Sequence, residues 1–278
     1  YLTQTSLNGS ARYTAMAGAF GALGGDLTAI SNNPAASSVF LNTEIGGSLN
    51  FQARENESKY YGEFTSLNEE AFYFDQLGAV FVFNNTNEEN PWSRISAAIN
   101  VNRMTNFDNQ TSLSGINKTS IADYFLYYAN GIAFEDIQLY DDETISDIYR
   151  YLGDEIGFGA QQAFLGYQSY IIDPLSPNDL EKSYISNVSS NKYPNNLDII
   201  NSGFHRKTSF NFSALYQNIL HIGVNLNSHK LEFRNNQDFF EYDQDIDSFI
   251  YNVNFDNDLI SYGDGFSIQF GGILKLKN

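Results

Sequence analysis

The side chains able to do chemistry are few. The histidines are His205, His221 and His229. His221 and His229 have the same parity in a strand-like stretch but stand eight residues apart. At about 3.3 Å per residue that is too far for one metal ion, so they read as polar groups on the wet face of a sheet. Asp243, Asp245 and Asp247 imitate the opening of a calcium loop, yet Ser248 and Asn254 stand where an EF-hand needs Gly and Glu. A looser Ca2+ site on an acidic surface loop is the one cofactor reading left, beside a plain solvated loop. Cysteine is absent, which removes thiolate ligands, disulfides and cysteine nucleophiles together. There is no Gly-x-Ser-x-Gly elbow, no His-Glu-x-x-His pair and no phosphate loop ending in Gly-Lys-Ser/Thr. An enzyme is not expected.

Composition narrows the partners. The chain has 278 residues and a formal charge of −18, so a nucleic acid would be repelled. Aromatic residues make up 15%, which disfavours disorder. No stretch approaches the roughly 18 consecutive apolar residues of a membrane-spanning helix. A membrane barrel stays open, because its strands hide apolar faces in alternation with polar ones.

The elements that would position these groups come in two kinds. Residues 9–36 are rich in Gly and Ala and end in the turn signal Asn32-Asn33-Pro34, so they predict a compact irregular segment. From Glu44 onward period-two alternation takes over. Its six runs centre on residues 45–51, 77–83, 95–101, 210–216, 220–226 and 266–270. The connection at Gln217-Asn218-Ile219 is short, as is that around Pro91, whereas residues 107–205 and 234–262 read as long excursions and the remaining connections also as long. Inside the first excursion, residues 120–131 and 155–170 have helical spacing, with Gly131 as a stop. Apolar residues alternating with Ser, Asn and Gly, and short turns opposite long loops, predict an all-β, antiparallel outer-membrane β-barrel. A soluble β-sandwich or open sheet with one wet face would use the same alternation.

The N-terminal segment carries a resemblance. Gly9-Ser10-Ala11-Arg12, Met16-Ala17-Gly18-Ala19-Phe20, Ala29 and Asn33-Pro34-Ala35 resemble the hatch of the FadL-type outer-membrane transporters of long-chain fatty acids and other hydrophobic compounds. RMTNF at 103–107 and SIADYF at 120–125 are similar to versions of that family in Bacteroidetes-type bacteria. The resemblance implies a fourteen-stranded barrel in the bacterial outer membrane, with residues 1–43 as a lumenal hatch and 44–278 as strands and loops. Its six recognisable runs cannot close, so the barrel is expected to be completed by further strands or a partner.

The hatch residues implied are Gly9, Arg12, Gly18, Phe20, Asn33, Pro34 and Ala35. A strand kink that opens a lateral exit would fall at Asn100, Asn102 and Arg103. Phe125, Leu126, Phe164 and Leu165 become candidates for apolar ligand contact, and Arg12 or Arg103 for a carboxylate head group. The implied function is uptake of hydrophobic molecules such as long-chain fatty acids, by loop-groove capture and lateral release into the membrane. The alternative is a non-transporting barrel serving as accessory subunit of a larger outer-membrane secretion or assembly complex. Expected partners are outer-membrane lipid and lipopolysaccharide, a hydrophobic ligand and, in the second reading, other outer-membrane proteins.

Overall fold

A computed structural model describes residues 6–87, 89–189, 192–243, 245 and 249–276. Its main body is one antiparallel sheet. Strand β1 (Glu44–Tyr60) and β2 (Glu63–Asn84) form a long hairpin. Next come β3 (Trp92–Asn106) and β4 (Asn109–Asn117), then β7 (Tyr193–Tyr216), β8 (Leu220–Tyr242) and β9 (Asn252–Leu274), with the order β1-β2-β3-β7-β8-β9 across the sheet. Strands β3 and β4 lie end to end along β7: β3 pairs with its 204–216 half and β4 with its 193–201 half. The sheet is therefore six staves wide, and its outer strands β1 and β9 run in opposite directions.

The alternation works as the residue types demand. Phe72, Phe212, Ile222 and Phe270 lie on one face and are 77%, 56%, 40% and 80% exposed, whereas Ser209, Asn211 and Asn225 on the other are buried. Residues 6–40 cover that polar face with short helical turns and no strand. Helix α1 (Ala11–Ala15) is capped by Ser10, and two 3-10 turns span Thr28–Ser31 and Pro34–Val39. Phe20, Ile30, Ala36 and Phe40 pack there against Val80 and Ala98 of the sheet. Small residues suit this place because the segment must approach strand backbone closely.

Residues 118–189 form a cap above the sheet. Helices α2 (Ala122–Ala129), α3 (Ile145–Glu155) and α4 (Phe158–Gln168) pack with a 3-10 turn at Phe134–Ile137 and a ribbon of β5 (Ile172–Pro174) and β6 (Tyr184–Ser186). Their core of Phe125, Ile137, Leu152, Phe164 and Ile172 also takes in Tyr193 and Val253 from the sheet.

Three expectations about connections are corrected. The 107–205 excursion contains β4, which ends at Asn117, and the upper half of β7, which begins at Tyr193. The 234–262 excursion is mostly strand, because β8 continues to Tyr242 and β9 begins at Asn252. The first two strands meet in a tight turn rather than a long loop, with Tyr61 and Gly62 both at positive φ (46° and 94°), the backbone that matches strand twist in a two-residue hairpin. One physical cause underlies all three. Above the apolar band the outward positions become Glu55, Glu57, Lys59, Arg206, Lys230 and Glu232; in β1 the inward Arg54, Asn56 and Ser58 are polar too and the alternation vanishes, whereas in β8 the apolar Leu231 and Phe233 turn inward and the alternation reverses phase although the strand continues.

Candidate functional site

Three places converge on the polar face: the hatch seat, a seam beside β2 and a cavity under the cap. At the seat, Asn33 Nδ2 donates to the carbonyls of Gly21 (2.7 Å) and Gly272 (3.1 Å), and Asn33 Oδ1 accepts from the Ala35 amide at 3.0 Å. The Pro34 carbonyl accepts from Asn211 Nδ2 at 2.8 Å and that of Ile30 from Asn225 Nδ2 at 2.8 Å. Gly223 and Gly271 face each other across β8 and β9, and a Cβ on either would run into Asn33, Pro34 or Ala35. The Asn-Pro-Ala turn thus sits in a slot made of two glycines. Gly9, beneath the side chain of Thr28, and Gly18, beside Tyr13, have φ of +147° and +75°, and Phe20 is fully buried. Arg12 is exposed, its guanidinium 5.2 Å from the Phe20 ring centroid. It holds no carboxylate.

The expected kink residues are placed differently from one another. Asn100 and Asn102 continue the regular ladder with β2 and point at the hatch. Asn100 Nδ2 donates to the Leu27 carbonyl at 2.7 Å, and Asn102 Nδ2 bonds Ser31 Oγ. The irregularity follows them, as a register shift between Arg103 and Thr105 and a break at residues 107–108. There Gly203 adopts φ +121° and its amide donates to Asp108 Oδ1 at 3.1 Å. A Cβ at Gly203 would meet the Glu232 carbonyl, so the bend needs glycine on the facing strand.

Beside this break lies the seam. The β2–β3 ladder ends at Gln76–Asn102; among the described residues, β2 above that level pairs only with β1. Arg103 fills the gap, bonding Asp75 and lying 4.1 Å over the Tyr73 ring, with the two charged side chains 9% and 5% exposed. Higher up, side chains of β1 replace a backbone ladder: Arg54 Nη1 donates to the Asp108 carbonyl, Asn56 Nδ2 to that of Gln110 and Ser58 Oγ to that of Ser112. Each such bond contributes about 0.5–1.5 kcal/mol net, and side chains can let go where a ladder cannot without unpairing backbone. A cavity of about 580 Å³ opens below, between Leu7, Ser10 and Thr14 of the hatch and Ser48 and Asn50 of β1, with Asp75 in its wall.

The cap supplies an apolar site. Phe125 and Leu165, from α2 and α4, line a cavity of about 270 Å³ with Ile171, Ile250, Val253 and Phe255. Phe164 does not reach it, being fully buried in the cap core, and Leu126 packs half-buried against that core. Glu241 ties the cap to β8. It is 1% exposed, accepts from the Ile121 amide at 3.0 Å and bonds Ser120. Burial pushes its carboxyl above the usual carboxylate range, against the lowering effect of those two donors. Burial likewise pushes the Tyr124 and Tyr184 hydroxyls up to about 12.

Sequence reasoning missed one inward cluster. His205 Nε2 lies 3.1 Å from His229 Nδ1, whose other nitrogen is 3.0 Å from Ser267 Oγ. Lys207, on the same face and in register with His229, is buried and donates to the Ser31 carbonyl at 3.0 Å. The signal was present as parity, since 205 and 207 extend the inward series 209, 211, 213.

The acidic loop closes on itself. The Asp245 amide donates to Asp243 Oδ1 at 2.9 Å, and both residues bond Ser189. Asp247 lies outside the described residues. Among the described residues no group of three acidic, His or Cys side chains has metal-binding geometry. Comparison with protein-family models, curated proteins and solved structures returned no match, so the reading of these sites rests on their own chemistry.

Proposed function

We propose that this chain forms a hatch-bearing outer-membrane barrel of the FadL type that takes up hydrophobic molecules such as long-chain fatty acids. In this reading the free edges of β1 and β9, which run in opposite directions and so suit antiparallel closure, are joined by further strands. The observation that carries it is the opposition of the two faces: an exposed apolar band on one, and on the other a polar surface whose Asn, Ser and Lys side chains hold a plug. A soluble protein would have to leave that band in water, where contiguous apolar surface of this size is rare.

The path follows the geometry. An apolar chain is captured under the cap beside Phe125 and Leu165, where each Å² of buried apolar area contributes about 25 cal/mol. A carboxylate head meets Lys207, replacing its bond to the Ser31 carbonyl, with His205 and His229 alongside; Arg12 is the other open cation, since Arg103 is already bonded to Asp75. The molecule leaves through the seam, where side chains rather than a ladder join β1 to β4.

The chain has no cysteine, and the side chains of Asn56 and Asn109 meet at 3.0 Å, so Asn56→Cys with Asn109→Cys provides a lock across the seam. Fatty-acid uptake by cells carrying the pair is expected to fall on oxidation and return on reduction. Uptake that is unchanged when locked would sink the seam as the exit. No uptake in either state would favour an accessory subunit instead, a reading suited by the exposed Tyr127, Tyr140, Tyr151 and Tyr170 of the acidic cap.

A further inference from the structure

Charge on the outward face is sorted by height. Above the apolar row Phe210–Leu226–Ile268 comes the mixed row Thr208–Ser228–Phe266 and then Arg206–Lys230–Asp264, flanked by Glu232 and, higher, Arg234. Higher still, Asp198, Asp238 and Asp256 stand directly opposite one another. In a chain of charge −18 with 15 basic residues, three cations gather within a few residues of the top of the band.

Their surroundings are incomplete. Arg206 stands directly across from Lys230, a like-charge pairing that destabilises a sheet by itself. Lys230 binds Glu232 at 2.9 Å. Arg206 lies 4.5 Å over the Phe204 ring, and Arg234 has uncharged Ser202 and Ile260 opposite it. Among the described residues neither arginine has an ion pair. A groove of about 390 Å³ runs between Lys230, Arg234 and Tyr262.

We infer that Arg206, Lys230 and Arg234 bind the phosphate groups of an outer-leaflet glycolipid, lipopolysaccharide, whose acyl chains lie along Phe210, Leu226 and Phe266 below. The inference rests on the outer-membrane reading above. Two residues of strand rise about 7 Å, which puts Arg206 and Lys230 one such step above the row of Phe266 and two above Phe210 and Leu226, at the depth of a headgroup. Arginine and lysine offer charge-assisted bonds to phosphate. Continuity with the apolar rows selects a lipid over other polyanions, and the aspartate row above would repel an anionic chain that continued upward.

The test reconstitutes the chain in phosphatidylcholine bilayers containing lipid A with both phosphates or the same lipid dephosphorylated, and measures glycolipid retained after purification. The wild type is expected to retain the phosphorylated form at least about tenfold better, the difference that about 1.4 kcal/mol produces. R206Q/K230Q/R234Q should lose that preference, and the charge-preserving R206K/K230R/R234K should keep it. Should the glutamine variant not fold, the wild type and the charge-preserving variant still decide. Equal retention of both lipids, or a preference surviving the glutamine changes, would overturn the inference; so would its abolition by millimolar inorganic phosphate, which would mark a free-anion site. Quenching of Trp92 by brominated acyl chains reads membrane insertion separately. Its absence would overturn the membrane reading itself, whereas quenching without phosphate preference would overturn only the headgroup site.

Discussion

Gly223 and Gly271 show how much one methyl group can decide. Gly223→Val would place carbon where the Pro34 carbonyl and Ala35 amide now lie, an overpacking that costs about 1–3 kcal/mol. Because the strands are held by their ladders, the segment that yields should be residues 29–36. The expected outcome is faster protease cleavage there with an unchanged strand signal by circular dichroism; unchanged protection would mean that the slot does not hold the plug. Glu241 makes a second residue-scale case. Its folded pKa is raised, so its contribution is fully present below the unfolded value of about 4.3 and is lost as pH rises through the folded value. Glu241→Gln keeps an acceptor for the Ile121 amide without the buried charge, and should stabilise the cap at neutral pH but not at acid pH. Glu241→Ala strands that amide and should destabilise the cap by about 1–3 kcal/mol. Hydrogen exchange at 121–129 separates the two, and equal protection in both variants would refute the account.

Elements were legible in proportion to the contrast between their surroundings. Strand cores such as 210–216 and 220–226 face apolar exposure on one side and a polar plug on the other, so alternation announces them. The same strands continue upward as Lys230-Leu231-Glu232, where the apolar side chain turns inward and the alternation reverses phase, and as Asp198-Ile199-Ile200, where hydropathy no longer reports the pleat. Helices α2 and α4 were legible because their Phe and Leu residues serve one core. Helix α3, with Leu152 alone fully buried, was not. The plug could be read from its glycines and the Asn-Pro-Ala turn, but the break at residues 107–108 depends on Gly203, a partner ninety-odd residues away, which no local pattern reveals.

Depth is the element-scale test. Ile222→Arg, in the apolar rows, should cost about 2–4 kcal/mol of folding stability in a bilayer, and Ser228→Arg, one row below the cations, less, toward about 0–1 kcal/mol. Equal shifts in urea midpoint would contradict a membrane band. An inward position is no neutral control: Asn225 is fully buried beneath Ile30, so arginine there would displace the plug. For the cap, Tyr124 and Tyr184 keep their protons in the folded state to about pH 12, whereas unfolded tyrosine ionises near 10. Their contribution is intact below about pH 10 and disappears as pH climbs toward the folded value. Tyrosinate absorbance should therefore rise late and together with loss of helical signal, and smooth ionisation near 10 for every tyrosine would exclude their burial.

At the scale of the whole molecule, one organisation accounts for every tier: polar plug inside, apolar rows outside, cations above them and aspartates above those. Trp92 packs on Tyr216 with ring centroids 5.0 Å apart at the lower edge of the apolar rows, which in the proposed membrane reading is an interfacial position suited to aromatics. The central claim is that this outward face meets lipid. Single cysteines along β9, spin-labelled in the chain reconstituted into bilayers, test it most directly through collision with oxygen, which concentrates in lipid, and with a nickel chelate, which stays in water. Labels at Phe266, Ile268, Phe270 and Leu274 should collide with oxygen and not with nickel, and labels at Ile260 and Tyr262 should do the reverse. Nickel accessibility at all of these positions, or protection of all of them from both reagents, would contradict the account.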